Sequence, residues 1–129
     1  MELKIRSLNS YDHNRIKAIW EKHYSSQFEF PDFITKYLFS FAVTDDMNRI
    51  ICAAGIRTIA EVVLMTNLDI EIEQRRMAFL EVLESSSFVA SSRGYDQIHA
   101  FVQDEKWKNH LIQHGFRETK GVSLVKDVR

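Results

Sequence analysis

Arg75 and Arg76 stand side by side in EQRRMAFLEVLESS, residues 73–86, ahead of residues that recur at helical spacing. A helix N-terminus presents unpaired backbone N–H groups and the positive end of the helix dipole. Phosphates bind readily there, and two guanidinium groups would add charge and hydrogen bonds to phosphate oxygens. Turns that hold phosphate usually contain glycine, which lets the backbone approach the ligand. This stretch contains none. A plainer description also fits: two solvated arginines before an amphipathic helix, with Met77 and Phe79 packed into the core.

Glu61 opens the apolar run EVVLM with a carboxylate, a group able to accept a proton from an ammonium. His110 and His114 flank Leu111, and imidazoles exchange protons near neutral pH. On a helix such histidines more often serve as packing or surface groups. His13, His23 and His99 have no metal-ligand spacing, so no metal is expected. Cys52 is the single cysteine. Within IICAAGI it reads as a small buried hydrophobe rather than a catalytic thiol, and a reducing compartment is expected.

These groups need a scaffold. The 129 residues suit one domain, 1–129, and 45% hydrophobic with 27% charged residues is a globular balance. A net charge of −1 gives no general field for nucleic acid or anionic lipid. MELKIRSLNS lacks an apolar signal core, and no apolar run approaches the ~20 residues that span a bilayer. A cytoplasmic protein without a membrane partner is expected.

Leu3, Ile5 and Leu8 alternate with polar residues as in an edge strand. Ser10 is expected to cap a helix carrying Ile16, Ile19, Trp20 and Tyr24, with Asp12 in its first turn. A short second helix is expected over Phe33–Leu38, after Pro31. FSFAVTD, RIICAAGIR and EVVLMTN read as strands, the first two joined by the turn DDMN. RIICAAGIR is nearly continuous in apolar residues and suggests a central strand covered on both faces. A helix from about Glu71 to Arg93 presents a broad apolar side through Met77, Leu80, Val82, Leu83, Phe88 and Val89, and Gly94 ends it. QIHAFV is a further strand. Asp104 caps a helix with Trp107, Leu111 and Ile112, Gly115 stops it, and GVSLVKDV is a last alternating strand. The order β-α-α-β-β-β-α-β-α-β is that of an α/β fold, a mixed sheet with helices on both faces. Residues 41–43, 50–56 and 62–66 are expected as neighbouring antiparallel strands, with 98–102 parallel to the last.

This order resembles the GCN5-related N-acetyltransferase fold over almost the whole chain. EQRRMAFLEVL resembles that family's pyrophosphate loop and helix: Gln74 takes the first motif place, Arg75 and Arg76 the spacers, Val82 and Leu83 the apolar pair. Met77 and Phe79 occupy its glycine places. HAFVQDEKWKNHLIQHGFRE is similar to the family's closing strand and helix, with Gly115 and Phe116 as the terminal Gly-Phe pair. Asp104 falls where a helix-starting Asn is common, and Leu111 where many members have a tyrosine that protonates the departing thiolate.

The resemblance implies an acyl-CoA-dependent N-acyltransferase, with acetyl-CoA or coenzyme A held by Thr66, Asn67 and Leu68 at the end of one strand. Gln74, Arg75, Arg76, Met77, Ala78 and Phe79 would hold it at the helix start. Glu61 is then the candidate general base, and His110 or His114 would have to replace the missing tyrosine. The acceptor would be a small-molecule or peptide amine, and a homodimer remains open. Large side chains at positions 77 and 79 are expected to hinder the approach of phosphate. The alternative is a non-catalytic binding or assembly protein on the same scaffold; some virus-encoded relatives of this fold depart in these same places, which for this alternative implies a phage or virion role.

Overall fold

The structure, a computed structural model, describes residues 2–129. It is a mixed α and β chain with three helices, a small antiparallel sheet and a parallel strand pair. The chain divides into two compact units, Met1–Thr58 and Ile59–Arg129.

In the first unit, β1 (Lys4–Ser7), β2 (Phe39–Thr44) and β3 (Ile50–Ile56) form an antiparallel sheet in the order β1-β2-β3. Ile5 lies opposite Val43, and Val43 opposite Cys52. The central strand is therefore β2, where Ala42 is buried. The apolar run of β3 predicted the centre, but β3 is an edge strand and Cys52 is exposed. Apolar content reports the wish to be covered; strand order decides which run receives the cover.

Asp45 and Asn48 make the β2–β3 turn. The Asp45 carboxylate accepts the Met47 and Arg49 N–H groups at 3.0 and 2.9 Å, and Asn48 takes a left-handed φ of 57°. Asn tolerates that geometry better than most residues.

Asn9, not Ser10, starts the next element. Its side chain accepts the Tyr11 N–H at 2.9 Å, while the Asp12 carboxylate accepts the Asn9 N–H at 3.0 Å. This reciprocal capping box closes a 3-10 turn, Ser10–Asp12, which runs into α1, His13–His23. Ile16 is the buried residue of α1. Beyond it the chain folds back, and the Trp20 indole N–H donates to the Phe28 carbonyl at 2.8 Å.

The helix expected over Phe33–Leu38 is a turn. Asp32 accepts the Ile34 and Thr35 N–H groups at 3.3 and 3.2 Å and also the Thr35 hydroxyl. Such local side-chain bonds compete with helix propagation. Phe33 and Tyr37, from that segment, pack over Gly55 of β3.

In the second unit, β4 (Ala60–Glu61) pairs in parallel with β5 (Ile98–His99), and α2 (Ile72–Ser92) is the crossover between them. The parallel sense agrees with expectation, but the pair falls on residues 60–61 and 98–99 rather than on 62–66 and 98–102. Residues 62–66 do not extend the β1–β3 ladder: Val62 N–H donates to the His99 carbonyl at 2.8 Å, and no further strand follows before α2.

The helix ends follow the sequence closely. At Gly94 (φ 87°) Tyr95 N–H reaches the Ala90 carbonyl at 3.0 Å and Gly94 N–H the Ser91 carbonyl at 3.1 Å. The same pair of bonds recurs at Gly115 (φ 96°), where α3 (Glu105–Gln113) ends with Phe116 N–H on the Leu111 carbonyl and Gly115 N–H on that of Ile112. Both are Schellman stops. Asp104 caps α3 by accepting the Lys106 N–H at 3.2 Å.

The buried residues of α2 are Phe79 and Ala90, whereas Met77, Leu80, Val82, Phe88 and Val89 of the expected apolar side are exposed. Periodicity identified an apolar surface larger than β4, β5 and α3 provide cover for. GVSLVKDV forms no strand among the described residues; Val122, Leu124, Val125 and Val128 are exposed. Alternation prepares a segment for a sheet edge, and without an edge it forms no ladder.

Candidate functional site

The site lies within the second unit, where β4 and β5 part. Their last bond is Val62 to His99, and beyond it both chain segments line an open cleft of about 540 Å³. Val63, Leu64 and Thr66 come from the β4 side, Ala100, Phe101 and Gln103 from the β5 side. Ligands in open α/β sheets settle beyond the carboxyl ends of parallel strands, and this cleft has that position. Glu61, the candidate base, is exposed where the cleft adjoins the β4–β5 pair, with His99 opposite in the ladder.

A second cleft of about 630 Å³ shares Thr66, Leu68, Phe79, Asp104 and Trp107 with the first. Arg75, Arg76 and Lys106 line it, against the single carboxylate of Asp104. Arg75 has a buried Nε with no hydrogen-bond partner. An orphaned donor is costly, and being buried this one is not open to a ligand lying in the cleft. Arg76 lies 3.4 Å from Glu73, both exposed, a pairing too weak to hold the guanidinium away from a ligand. Glu71, at the N-cap of α2, makes no side-chain capping bond.

The other cofactor candidates lie nearby but not all on these walls. Asn67 forms a turn, its side chain accepting the Asp69 N–H at 3.0 Å. Asn67, Gln74 and Ala78 border a smaller hollow of about 180 Å³ with Arg75 and Phe79. Met77 lines neither large cleft and is 70% exposed, so it does not crowd this approach. Helical geometry separates it from Phe79, since residues two apart do not share a face. Phe79 is 5% exposed and lines both clefts, with the Trp107 ring 5.4 Å away. The obstruction expected from two side chains therefore reduces to one.

Neither histidine stands free as a proton donor to the first cleft. The His110 ring lies 4.6 Å from Phe79 and 5.4 Å from Trp107, and it borders the second cleft. His114 Nδ1 lies 2.9 Å from the His110 carbonyl, and its ring meets the edge of Phe79 at 5.1 Å. Between them Leu111, 5% exposed, forms part of the first cleft's wall.

Sequence reasoning missed Lys106 as a third cation, because a lysine in the first turn of a helix is ordinary; its nearness to Arg75 and Arg76 is tertiary. It passed over Trp107 as a wall residue for the same reason. The residues present fit an anionic ligand with an apolar portion: three cations in one cleft, mainly apolar walls in the next. No protein-family model matches the chain, and no curated protein matches it. No helix among the described residues is long and apolar enough to cross a membrane.

Proposed function

We propose that the chain is a GCN5-related N-acetyltransferase-like protein that binds acyl-coenzyme A in the second unit and transfers the acyl group to an amine. The observation that carries the reading is the parallel β4–β5 pair opening into a cleft beside a cation-lined helix start. Arg75, Arg76 and Lys106 would hold phosphate oxygens. Thr66, Leu68 and Phe79 would border the path between the two clefts. The bound thioester supplies an activated acyl carbonyl. In the transfer a neutral amine forms the new C–N bond, the C–S bond breaks, the amine loses a proton and the sulfur gains one. Glu61 is the carboxylate able to accept the amine proton, directly or through water.

A specific feature favours a second reading, a binding or assembly protein without turnover. Leu111 cannot protonate sulfur, and His110 and His114 are engaged in ring contacts.

Calorimetry with acetyl-CoA tests the binding. Saturation at 100 times the dissociation constant should also add ~2.7 kcal/mol to stability. Arg75→Gln should weaken binding about tenfold, as expected for loss of a charge-assisted bond. Absence of both heat and thermal shift would remove coenzyme A from the reading; binding without amide formation across a panel of amines would favour the second one.

A further inference from the structure

The second cleft holds an imidazole besides its fixed charges. Arg75 and Arg76 of α2, Lys106 of α3 and Asp104 line it, and so does His110. The His110 ring is half-buried and lies against two aromatic rings, Phe79 at 4.6 Å and Trp107 at 5.4 Å, tilted by 37° and 33°. Aromatic faces at this range attract a cation. His110 also stands in the last turn of α3, the end of a helix that favours positive charge. Among the described residues no hydrogen bond engages either of its ring nitrogens. The charged groups around it are otherwise occupied or permanent. Asp104 accepts the Lys106 N–H, Glu73 pairs with Arg76, and Glu105 pairs with Lys108 outside the cleft. His114 lies 4.8 Å from His110, but its Nδ1 faces the His110 carbonyl and it lines neither large cleft. Of these side-chain types only imidazole ordinarily changes charge between about pH 5 and pH 8.

We propose that His110, as imidazolium, is a fourth cationic ligand for the anion held in this cleft, so that binding takes up a proton and tightens as pH falls. The inference rests on the coenzyme A reading above, whose phosphates are the anion. A phosphate beside the ring stabilises the charged imidazole, and by reciprocity the charged imidazole stabilises the bound phosphate. The proton comes from solvent and returns to it when the ligand leaves; no covalent bond to the ligand forms or breaks.

The test is calorimetry of the full chain with coenzyme A between about pH 8 and about pH 5.5. Each point is taken in two buffers of different ionisation enthalpy, so that the heat reports proton uptake. Phosphate monoesters themselves take up protons near ~pH 6; that part is common to all variants, and the difference between variants is the readout. His110→Gln should lose the protein's share of the uptake and bind about tenfold more weakly at the acid end, as for loss of one charge-assisted bond. His110→Lys, charged throughout, should also lose the uptake but keep the tighter binding at the alkaline end. His114→Gln should retain the uptake. Circular dichroism checks folding, and if His110→Gln does not fold, His110→Lys carries the comparison. Equal uptake and equal pH dependence in the unaltered chain and a folded His110 variant would overturn the proposal and leave the coenzyme A reading standing. Loss of the uptake in His114→Gln instead would overturn the assignment to His110. Absence of binding at every pH would overturn both.

Discussion

Asp12 is a buried carboxylate in the 3-10 turn of the first unit. Its side chain is 2% exposed, and it accepts two bonds from the Arg6 guanidinium, at 2.7 and 2.9 Å, and one from the Asn9 N–H. The Arg6 bonds, followed in weight by the opposing cost of burial, hold its carboxyl down to about 2. A carboxyl depressed on folding stabilises the folded chain above its unfolded value and ceases to do so as pH falls through the folded one. Stability should therefore decline between about pH 4 and pH 2. Asp12→Ala should lose that part of the acid dependence and cost roughly 1.5–3 kcal/mol at neutral pH, the worth of bonds to a charged group. Urea titrations of both proteins across the range would check it; parallel pH profiles would mean that other carboxylates govern acid unfolding. In the second unit Phe79 has the comparable place. It joins α2 to α3 through Trp107 and His110, so Phe79→Ala should cost about 3–5 kcal/mol, measured by the same denaturant method. A loss below 1 kcal/mol would mean that the aromatic cluster contributes little.

At the scale of elements, helix stops and strand edges behave differently. Gly94 and Gly115 sit at φ 87° and 96° with no atom within 4 Å of an added Cβ, so their role is conformational rather than steric. Gly94→Ala should destabilise by about 1–2 kcal/mol through the left-handed backbone alone, with helix content retained by circular dichroism. Gly55 is the opposite case: a Cβ there would lie 2.5 Å from Tyr37 and 2.8 Å from Phe33. Gly55→Ala forces those rings away from β3 and should cost about 1–3 kcal/mol by overpacking. Replacing Tyr37 with Leu in the same chain should recover part of the loss; no recovery would locate the strain elsewhere.

For the molecule as a whole, protection from hydrogen exchange should follow the pairing pattern. Slow exchange is expected in β2, paired on both sides, and along the middle of α2. Residues 119–129, which form no helix or strand, should exchange fastest. Mass-resolved exchange of the intact chain checks this order. Strong protection over 121–128 would mean that the alternating C-terminal segment finds a sheet edge in solution.

Much of the local structure was already written in the residues. Asp104 and Gly115 bracket α3, Gly94 ends α2, and Asp45–Asn48 turns β2 into β3, because caps and turns depend on side chains acting within a few positions. Arg75 and Arg76 were likewise legible as two cations near the start of a helix, since charge and helix polarity are local properties. What the chain order alone did not decide was which apolar surfaces find cover. Met77 and Phe79 read alike, yet one is exposed and the other holds two helices together. Cys52 read as central and lies on an edge strand, while Lys106 and Trp107 meet Arg75 and Arg76 at one cleft only through the folded arrangement of α2 and α3. Burial, strand order and the meeting of distant side chains are pairwise outcomes, decided by packing between segments far apart in the chain.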